Sequence, residues 1–191
     1  LLLFGQAVIA RVPGGGAHRA LTLAACLLAA KLLEQDVTAA AELPDDLVPA
    51  GRGNIRNKTG IEIVDDSYNA SPASMAAAFN SLAATPPHIM VLSEMRELGA
   101  ATNSAHAALA PQINKLAPRV VIAIGSAMHD MLNNLDQSVI AVAATDIDMA
   151  VVELNRAITN GDRIFIKGSN GSCAWRVRDA LCAAMTTDAS K

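Results

Sequence analysis

The sequence predicts an α/β fold: a Rossmann-like, mainly parallel sheet with flanking helices, preceded by a shorter α/β segment. Two observations carry this. From Ile61 onward, short apolar runs alternate with helical patterns, and that alternation is what βαβ units impose. Hydrophobic residues make up 52% of the 191 residues while aromatics make up only 3%. The core is therefore built from Ala, Val, Leu and Ile, which suit strands buried on both faces and small-residue helices.

Leu1–Val12 reads as a strand or hairpin piece, and Pro13-Gly14-Gly15-Gly16 as a loop. A helix runs from about Ala17 to Leu33, and a short second helix starts near Asp36 or Thr38. Pro44 to Asn57 is polar, carries prolines and glycines and shows no periodicity, so it reads as a linker between domains. The domain boundary is set at residues 1–47 and 48–191. Strand Ile61–Val64 leads to helix Pro72–Ala83, with Ser71 as N-cap and Pro72 at the first helical position. Strand His88–Leu92 leads to helix Asn103–Leu116, and strand Val120–Ile124 to helix Ala127–Leu132. Strand Ser138–Val142 leads to a helix capped by Asp146 and running to Ile158. Strand Arg163–Ile166 leads to helix Cys173–Met185.

Composition excludes several classes. The net charge is −3, and no basic stripe interleaved with aromatics suggests nucleic acid. Cys26, Cys173 and Cys182 form no CxxC and read as small core residues in a reducing compartment. The apolar stretch Ala20–Leu33 holds Thr22 and Lys31 and is too short for a bilayer, so no membrane insertion is expected. The opening Leu1-Leu2-Leu3-Phe4 lacks a basic flank and makes a poor signal peptide. An apolar start without Met suggests a fragment that begins inside a strand of a larger protein.

Ligands of open parallel sheets bind outside the carboxyl ends of the strands. Here those ends are unequal. Val64 is followed by Asp65-Asp66-Ser67-Tyr68-Asn69, which includes the only tyrosine. Leu92 is followed by Ser93-Glu94-Met95-Arg96-Glu97-Leu98-Gly99, and Ile166 by Lys167-Gly168-Ser169-Asn170-Gly171-Ser172. After Val142 comes an unremarkable Ala143-Ala144-Thr145. On neighbouring strands the polar ends would converge on one cleft.

The Lys167–Ser172 loop offers backbone N–H groups, a cation and hydroxyls to an anion; it equally fits an ordinary Gly/Ser turn with a surface lysine. It is not a Walker A loop, whose G-x-x-x-x-G-K-[ST] occurs nowhere in the chain. Asp65 and Asp66 could bind a ribose hydroxyl or assist a metal, and one of the two serves only turn chemistry. Glu94 and Glu97 also fit the solvated start of a helix. His18, His88, His106 and His129 form no metal-ligand spacing and read as structural. Ser67 lacks the G-x-S-x-G elbow of a hydrolase nucleophile.

Asp66-Ser67-Tyr68-Asn69-Ala70, with Pro72 and Ser74-Met75, closely resembles the D-S-Y-N-A-N-P-x-S-M signature found in one branch of the Mur ligase family. Met95 with Glu97-Leu98-Gly99 resembles that branch's G-D-M-x-E-L-G, and His106 falls where its next helix carries a histidine. Lys167-Gly168-Ser169 resembles its late K-G-S, and Gly16-Ala17-His18 the start of its G-x-H-x-x-x-N. Pro49 with Gly51-Arg52 resembles the P-x-G-R stretch joining its central and C-terminal domains. The diaminopimelate- and lysine-adding members carry a D-Y-A-H-type signature instead.

The resemblance implies a Mur ligase C-terminal domain preceded by the tail of an α/β ATP-binding central domain. It implies an ATP- and Mg2+-dependent ligase of the cytoplasm that adds D-alanyl-D-alanine to UDP-N-acetylmuramoyl-tripeptide through an acyl phosphate, in peptidoglycan synthesis. Lacking the P-loop and the main magnesium ligands, this portion alone would be inactive, with no catalytic residue and no metal site of its own. The resemblance assigns ATP binding to Asp66 (ribose), Arg52, Tyr68 and Asn69, and places His18 and Thr22 near adenine. It assigns Ser169, Lys167, Glu94 and Glu97 to the incoming dipeptide. The missing N-terminal and central domains would be its partners. Departures are Ser71, Ser93-Glu94, Thr22 and Asn170, where the branch has Asn, Gly-Asp, Asn and Arg. A left-handed backbone at that Gly would strain Ser93. The alternative is a stand-alone Rossmann-like module that binds a nucleotide or small carboxylate without catalysis, although G-x-G-x-x-G follows no strand.

Overall fold

The computed structural model describes residues 2–44 and 47–187. The chain divides into two compact units, Leu1–Pro49 and Ala50–Lys191. In the first unit, β1 (Leu2–Leu3) and β2 (Gln6–Ala7) pair antiparallel as a short hairpin. Helix α1 (Ala17–Leu32) follows, then a 3-10 turn at Thr38–Glu42 where Asp36 accepts hydrogen bonds from the Thr38 backbone and hydroxyl. Leu3, Leu27, Val37 and Ala40 form its small core.

The second unit is built on a six-stranded sheet. Its elements are β3 (Asn54–Lys58), β4 (Ile61–Asp66), α2 (Pro72–Leu82), β5 (Ile89–Ser93), α3 (Thr102–Ala107), α4 (Ala110–Leu116) and β6 (Val120–Ile124). They continue with α5 (His129–Asn133), β7 (Ile140–Ala144), α6 (Ile147–Ala157), β8 (Arg163–Lys167) and α7 (Trp175–Thr187). The strand order is β3-β4-β8-β5-β6-β7, parallel except for β3, which pairs antiparallel with β4.

Side-chain alternation sorts the strands into two cores. Val64, Met90, Leu92, Val121, Ala123 and Phe165 pack under α2, α4 and α5, with Phe79 edge-on to Phe165 at 6.3 Å between centroids. Ile63, Ile89, Val91, Ile122, Ile124, Ile164 and Ile166 pack under α6 and α7. The helices after β4, β5 and β6 therefore lie on one face, and those after β7 and β8 on the other. Because β8 sits between β4 and β5, its loop leaves opposite to both neighbours. Such reversals open crevices at the carboxyl edge.

Three readings need correction. Asn54–Asn57 belongs not to a linker but to β3, an edge strand whose mostly exposed, polar face hides the strand signal. The helix expected over Asn103–Leu116 is two helices, because Pro111 in the first turn of α4 cannot continue the preceding ladder. The strand expected at Ser138–Val142 lies two residues later, since Val139 N–H closes a turn on the Asp136 carbonyl. The expected caps are present: Ser71 and Ser74 form a reciprocal capping box, and Asp146 accepts from Met149 N–H at 2.8 Å. Among the described residues no helix is long and apolar enough to cross a membrane.

Candidate functional site

The strand β4 ends in adjacent carboxylates that face opposite sides of the sheet. Asp65 points to the α7 side and is fully buried. Its Oδ1 accepts from Ser67 N–H at 3.2 Å and the Ser67 hydroxyl at 2.5 Å. Its Oδ2 accepts from Gly51 N–H at 2.8 Å and Arg178 Nη1 at 2.9 Å. Asp65 is thus the internal member of the pair. Burial acts to lower the Arg178 pKa, but hydrogen bonds to Asp65 and Asp179 outweigh it and hold the guanidinium above its ordinary value.

The Gly51–Gly53 turn is fastened to this strand end. Tyr68 N–H donates to the Gly51 carbonyl at 2.8 Å, and Gly53 N–H to the Asp65 carbonyl at 2.6 Å. Gly51 has φ 76°, and a Cβ there would stand 2.8 Å from Tyr68 N, so no other residue fits. This mounting carries Arg52 over the Tyr68 ring, 3.9 Å from its centroid. Both side chains are exposed, as is Asn69, whose Oδ1 accepts from Ala70 N–H.

Asp66 faces the other side, where its register partner on β8 is Lys167. The Lys167 ammonium donates to Asp66 Oδ2 at 2.6 Å and to the Asn69 carbonyl at 2.9 Å. Lys167 is 2% exposed, which rules out the surface lysine of an ordinary turn, while the Asp66 side chain keeps 22% of its surface. The result is a neutral pair, sealed beneath and open on its acidic side, next to the Arg52–Tyr68 stack.

The loops of β8 and β5 are stitched together. Ser169 donates its N–H and its hydroxyl to the Glu94 carbonyl, the latter at 2.7 Å. Ser172 donates to the Ser169 carbonyl at 2.6 Å, so Ser93 Oγ, 2.5 Å away, is the donor to Ser172 Oγ. Gly168 lies so close to Ser93 Oγ that a Cβ would collide with it. Ser93 itself ends β5 in extended backbone, so the expected left-handed strain is absent there; Glu97, with φ 65°, bears it instead. The Glu94 carboxylate crosses to β6 and accepts from Ala127 N–H at 3.0 Å. Buried His106 accepts from Met95 N–H at Nε2 (2.9 Å) and donates from Nδ1 to the Thr102 carbonyl (2.7 Å), which makes it a structural brace.

Asp66, Arg52, Tyr68, Asn69, Lys167, Ser169, Glu94 and Glu97 thus share one unit, the first seven around the ends of β4, β8 and β5. His18 and Thr22 stand exposed on α1 of the N-terminal unit, with the Thr22 hydroxyl donating to the His18 carbonyl. Sequence reasoning missed Arg178, the clamp on Asp65. A signal existed: Arg176 and Arg178 open α7, where the helix dipole disfavours cations. It also passed over Thr145, which with Asp146, Ile147 and Asp148 lines a cleft of about 350 Å³ together with Glu94, Arg96 and Arg176. Among the described residues no three His, Cys, Asp or Glu side chains meet as a metal site.

The fold and site define an α/β domain whose polar side chains gather at the carboxyl edge of a doubly covered sheet. Residues 51–170 match the family described as Mur ligase, glutamate ligase domain, and the chain belongs to that family. It is 28% identical over 157 residues to a UDP-N-acetylmuramoyl-tripeptide--D-alanyl-D-alanine ligase of Rickettsia prowazekii, covering 81% of this chain and 35% of that protein. It is 32% identical over 154 residues to the like-named ligase of Mycobacterium tuberculosis, covering 65% of this chain and 29% of that protein. The chain thus spans about a third of the length of these relatives. Among solved structures it resembles a MurF ligase of Thermotoga maritima in complex with ADP, with a TM-score of 0.75 and 24% identity over 91% of this chain and 40% of that one. A MurF of Acinetobacter baumannii gives 0.74 and 24% over 90% and 39%. At these identities the structural likeness is one of fold.

Proposed function

We propose that this chain is the C-terminal portion of an ATP-dependent ligase that adds D-alanyl-D-alanine to UDP-N-acetylmuramoyl-tripeptide in peptidoglycan synthesis. In this reading residues 1–47 are the tail of the central ATP-binding domain and 48–191 the C-terminal domain. The observation that carries it is the nucleotide-facing wall at β4. There the Asp66 carboxylate is held by Lys167 at 2.6 Å beside the Arg52–Tyr68 stack. An oriented, partly exposed carboxylate suits a ribose diol, and an exposed ring with a guanidinium above it suits a base or phosphate edge. The names of the curated relatives support the substrate pair.

ATP and Mg2+ are the cofactors of this reading, in the cytoplasm. The residues described here assemble no magnesium site, so none of them is given a metal role. His18 and Thr22 are assigned to the adenine side, and Arg52, Tyr68 and Asn69 to the nucleotide with Asp66. Ser169, Glu94, Glu97 and Lys167 border the acceptor side, Lys167 through the Asp66 it holds. Catalysis would rest on positioning, the role of the N-terminal and central domains being to bring the phosphates and tripeptide. No Walker A motif is present, so the 191 residues alone turn over no ATP.

The test is equilibrium binding of ADP to the chain, beside 2′-deoxy- and 3′-deoxy-ADP. Asp66→Ala should weaken ADP about tenfold or more and erase the difference between ADP and at least one deoxy analogue. Equal affinity of Asp66→Ala and the unmutated chain for all three nucleotides would overturn the assignment.

A further inference from the structure

The cleft lined by Thr145–Asp148, Glu94, Arg96 and Arg176 is bordered by Ser172 and Cys173 at the end of the turn that follows β8. Two of its three acids are already engaged, and the third, Asp148, is exposed in the first turn of α6, where the helix dipole favours an acid. Asp146 caps α6 through Met149 N–H and accepts from the Thr145 hydroxyl at 3.0 Å, and these bonds hold its pKa below the ordinary value. Glu94 accepts from Ala127 N–H at 3.0 Å. The cations are not engaged: among the described residues neither Arg96 nor Arg176 makes a side-chain hydrogen bond or ion pair. Arg96 lies against Gly171, where a Cβ would stand 2.7 Å from Nη1, so the absence of a side chain at 171 makes its seat. Arg176 sits in the first turn of α7, unfavourable for a cation unless an anion compensates it. A pocket of about 350 Å³ is of ligand size. Two uncommitted guanidinium forks in it match a carboxylate, which Arg binds through paired N–H donors.

We propose that this cleft is a carboxylate subsite in which Arg96 and Arg176 are specificity-determining residues, and, resting on the function proposed above, that it holds the carboxylate of the incoming D-alanyl-D-alanine. That substrate is small, and its carboxylate is remote from the amine that reacts. Anchoring the remote end would leave the amine to project toward the joined loops of β5 and β8.

Cys173 lines the same cleft and supplies a reporter. In the 191-residue chain carrying Cys26→Ser and Cys182→Ala, it is the only thiol. Its labelling rate with a neutral maleimide is followed against D-alanyl-D-alanine, its C-terminal amide and a panel of other dipeptides and amino acids, with ADP binding measured in parallel. D-alanyl-D-alanine should slow labelling saturably, and the amide should require about tenfold more ligand or worse. Arg96→Met and Arg176→Met should each weaken protection about tenfold, while their thermal melts stay with the parent's because both side chains are exposed. Protection by the amide equal to that by the acid, or protection insensitive to both arginine substitutions, overturns the proposal. Protection by a different amino acid or dipeptide, still dependent on the arginines, upholds the subsite and overturns the D-alanyl-D-alanine assignment. Protection by no carboxylate, with ADP binding intact, overturns the subsite and leaves the function proposed above standing.

Discussion

The Asp65–Arg178 pair ties the last helix, the end of β4 and the Gly51 turn into one structure, and its removal has a calculable pattern. Asp65 has no exposed surface and holds four donors: Gly51 N–H, Ser67 N–H, the Ser67 hydroxyl and Arg178 Nη1. Arg178→Ala strands a carboxylate that cannot reach water. Breaking a buried pair from one side costs about 3–5 kcal/mol. Asp65→Ala leaves Gly51 and Ser67 donors unpaired, but Arg178 keeps Asp179 at 2.6 Å. Its cost is also about 3 kcal/mol, from lost hydrogen bonds to a charged group. The double variant removes both charges, so it should be less destabilised than the sum by about 2 kcal/mol, within the range seen for residues in contact. The assay is urea unfolding of the three variants and the parent. With a slope of about 2 kcal/mol per molar, Arg178→Ala should move the midpoint down by about 2 M. Additivity within about 0.5 kcal/mol would refute the coupling, and so would an Arg178→Ala cost below about 1 kcal/mol.

Gly168→Ala drives a Cβ into Ser93 Oγ and to 2.9 Å from the Ala174 Cβ, so it should destabilise by about 2 kcal/mol or more, and adding Ser93→Ala should recover part of the loss in the same unfolding assay. Asp162 is buried at the opposite end of the sheet; burial raises its pKa, but hydrogen bonds from the Thr159 backbone and hydroxyl and from Arg119 outweigh this and lower it from 3.8. A lowered folded pKa gives stability that is fully present above the unfolded value and lost as pH falls through the folded one. Asp162→Asn should therefore be less stable than the parent at neutral pH and converge with it below about pH 4. A stability gap unchanged between pH 7 and pH 3 in urea titrations would sink that assignment.

What the sequence disclosed and what it hid divide along one physical line. The buried strands β4, β5, β6 and β8 were legible because continuous apolar runs bounded by polar turns have few other uses. The Ser71 and Asp146 caps were legible because their bonds span three residues. β3 was hidden because an exposed edge strand needs no apolar alternation. The pairs Asp65–Arg178 and Asp66–Lys167 were hidden because their partners lie 113 and 101 residues apart. No local pattern marks such contacts; they exist only once the strand order is known. Glu94 shows the same limit at shorter range. Its longer side chain was visible as a departure, yet its use, reaching Ala127 N–H, follows from β5 lying beside β6.

Strand order also explains why the polar strand ends fall into two groups. Insertion of β8 between β4 and β5 sets its loop against two neighbours that turn the other way. On one side the register pairs Asp66 with Lys167 and buries the cation beneath the acid. Lys167 is therefore spent on orienting Asp66 and the Asn69 carbonyl, and is a poor direct anchor for a second anion. On the other side the Gly168–Ser172 turn packs on Ser93 and leaves Gly171 bare, which opens room for Arg96. In the function proposed above, a nucleotide and a separate small acid call for two positive features kept apart. With Lys167 neutralised by Asp66, the charge proposed for the acid comes from Arg96 and Arg176, which make no side-chain hydrogen bond or ion pair among the described residues and outnumber the one unengaged acid of their cleft, Asp148.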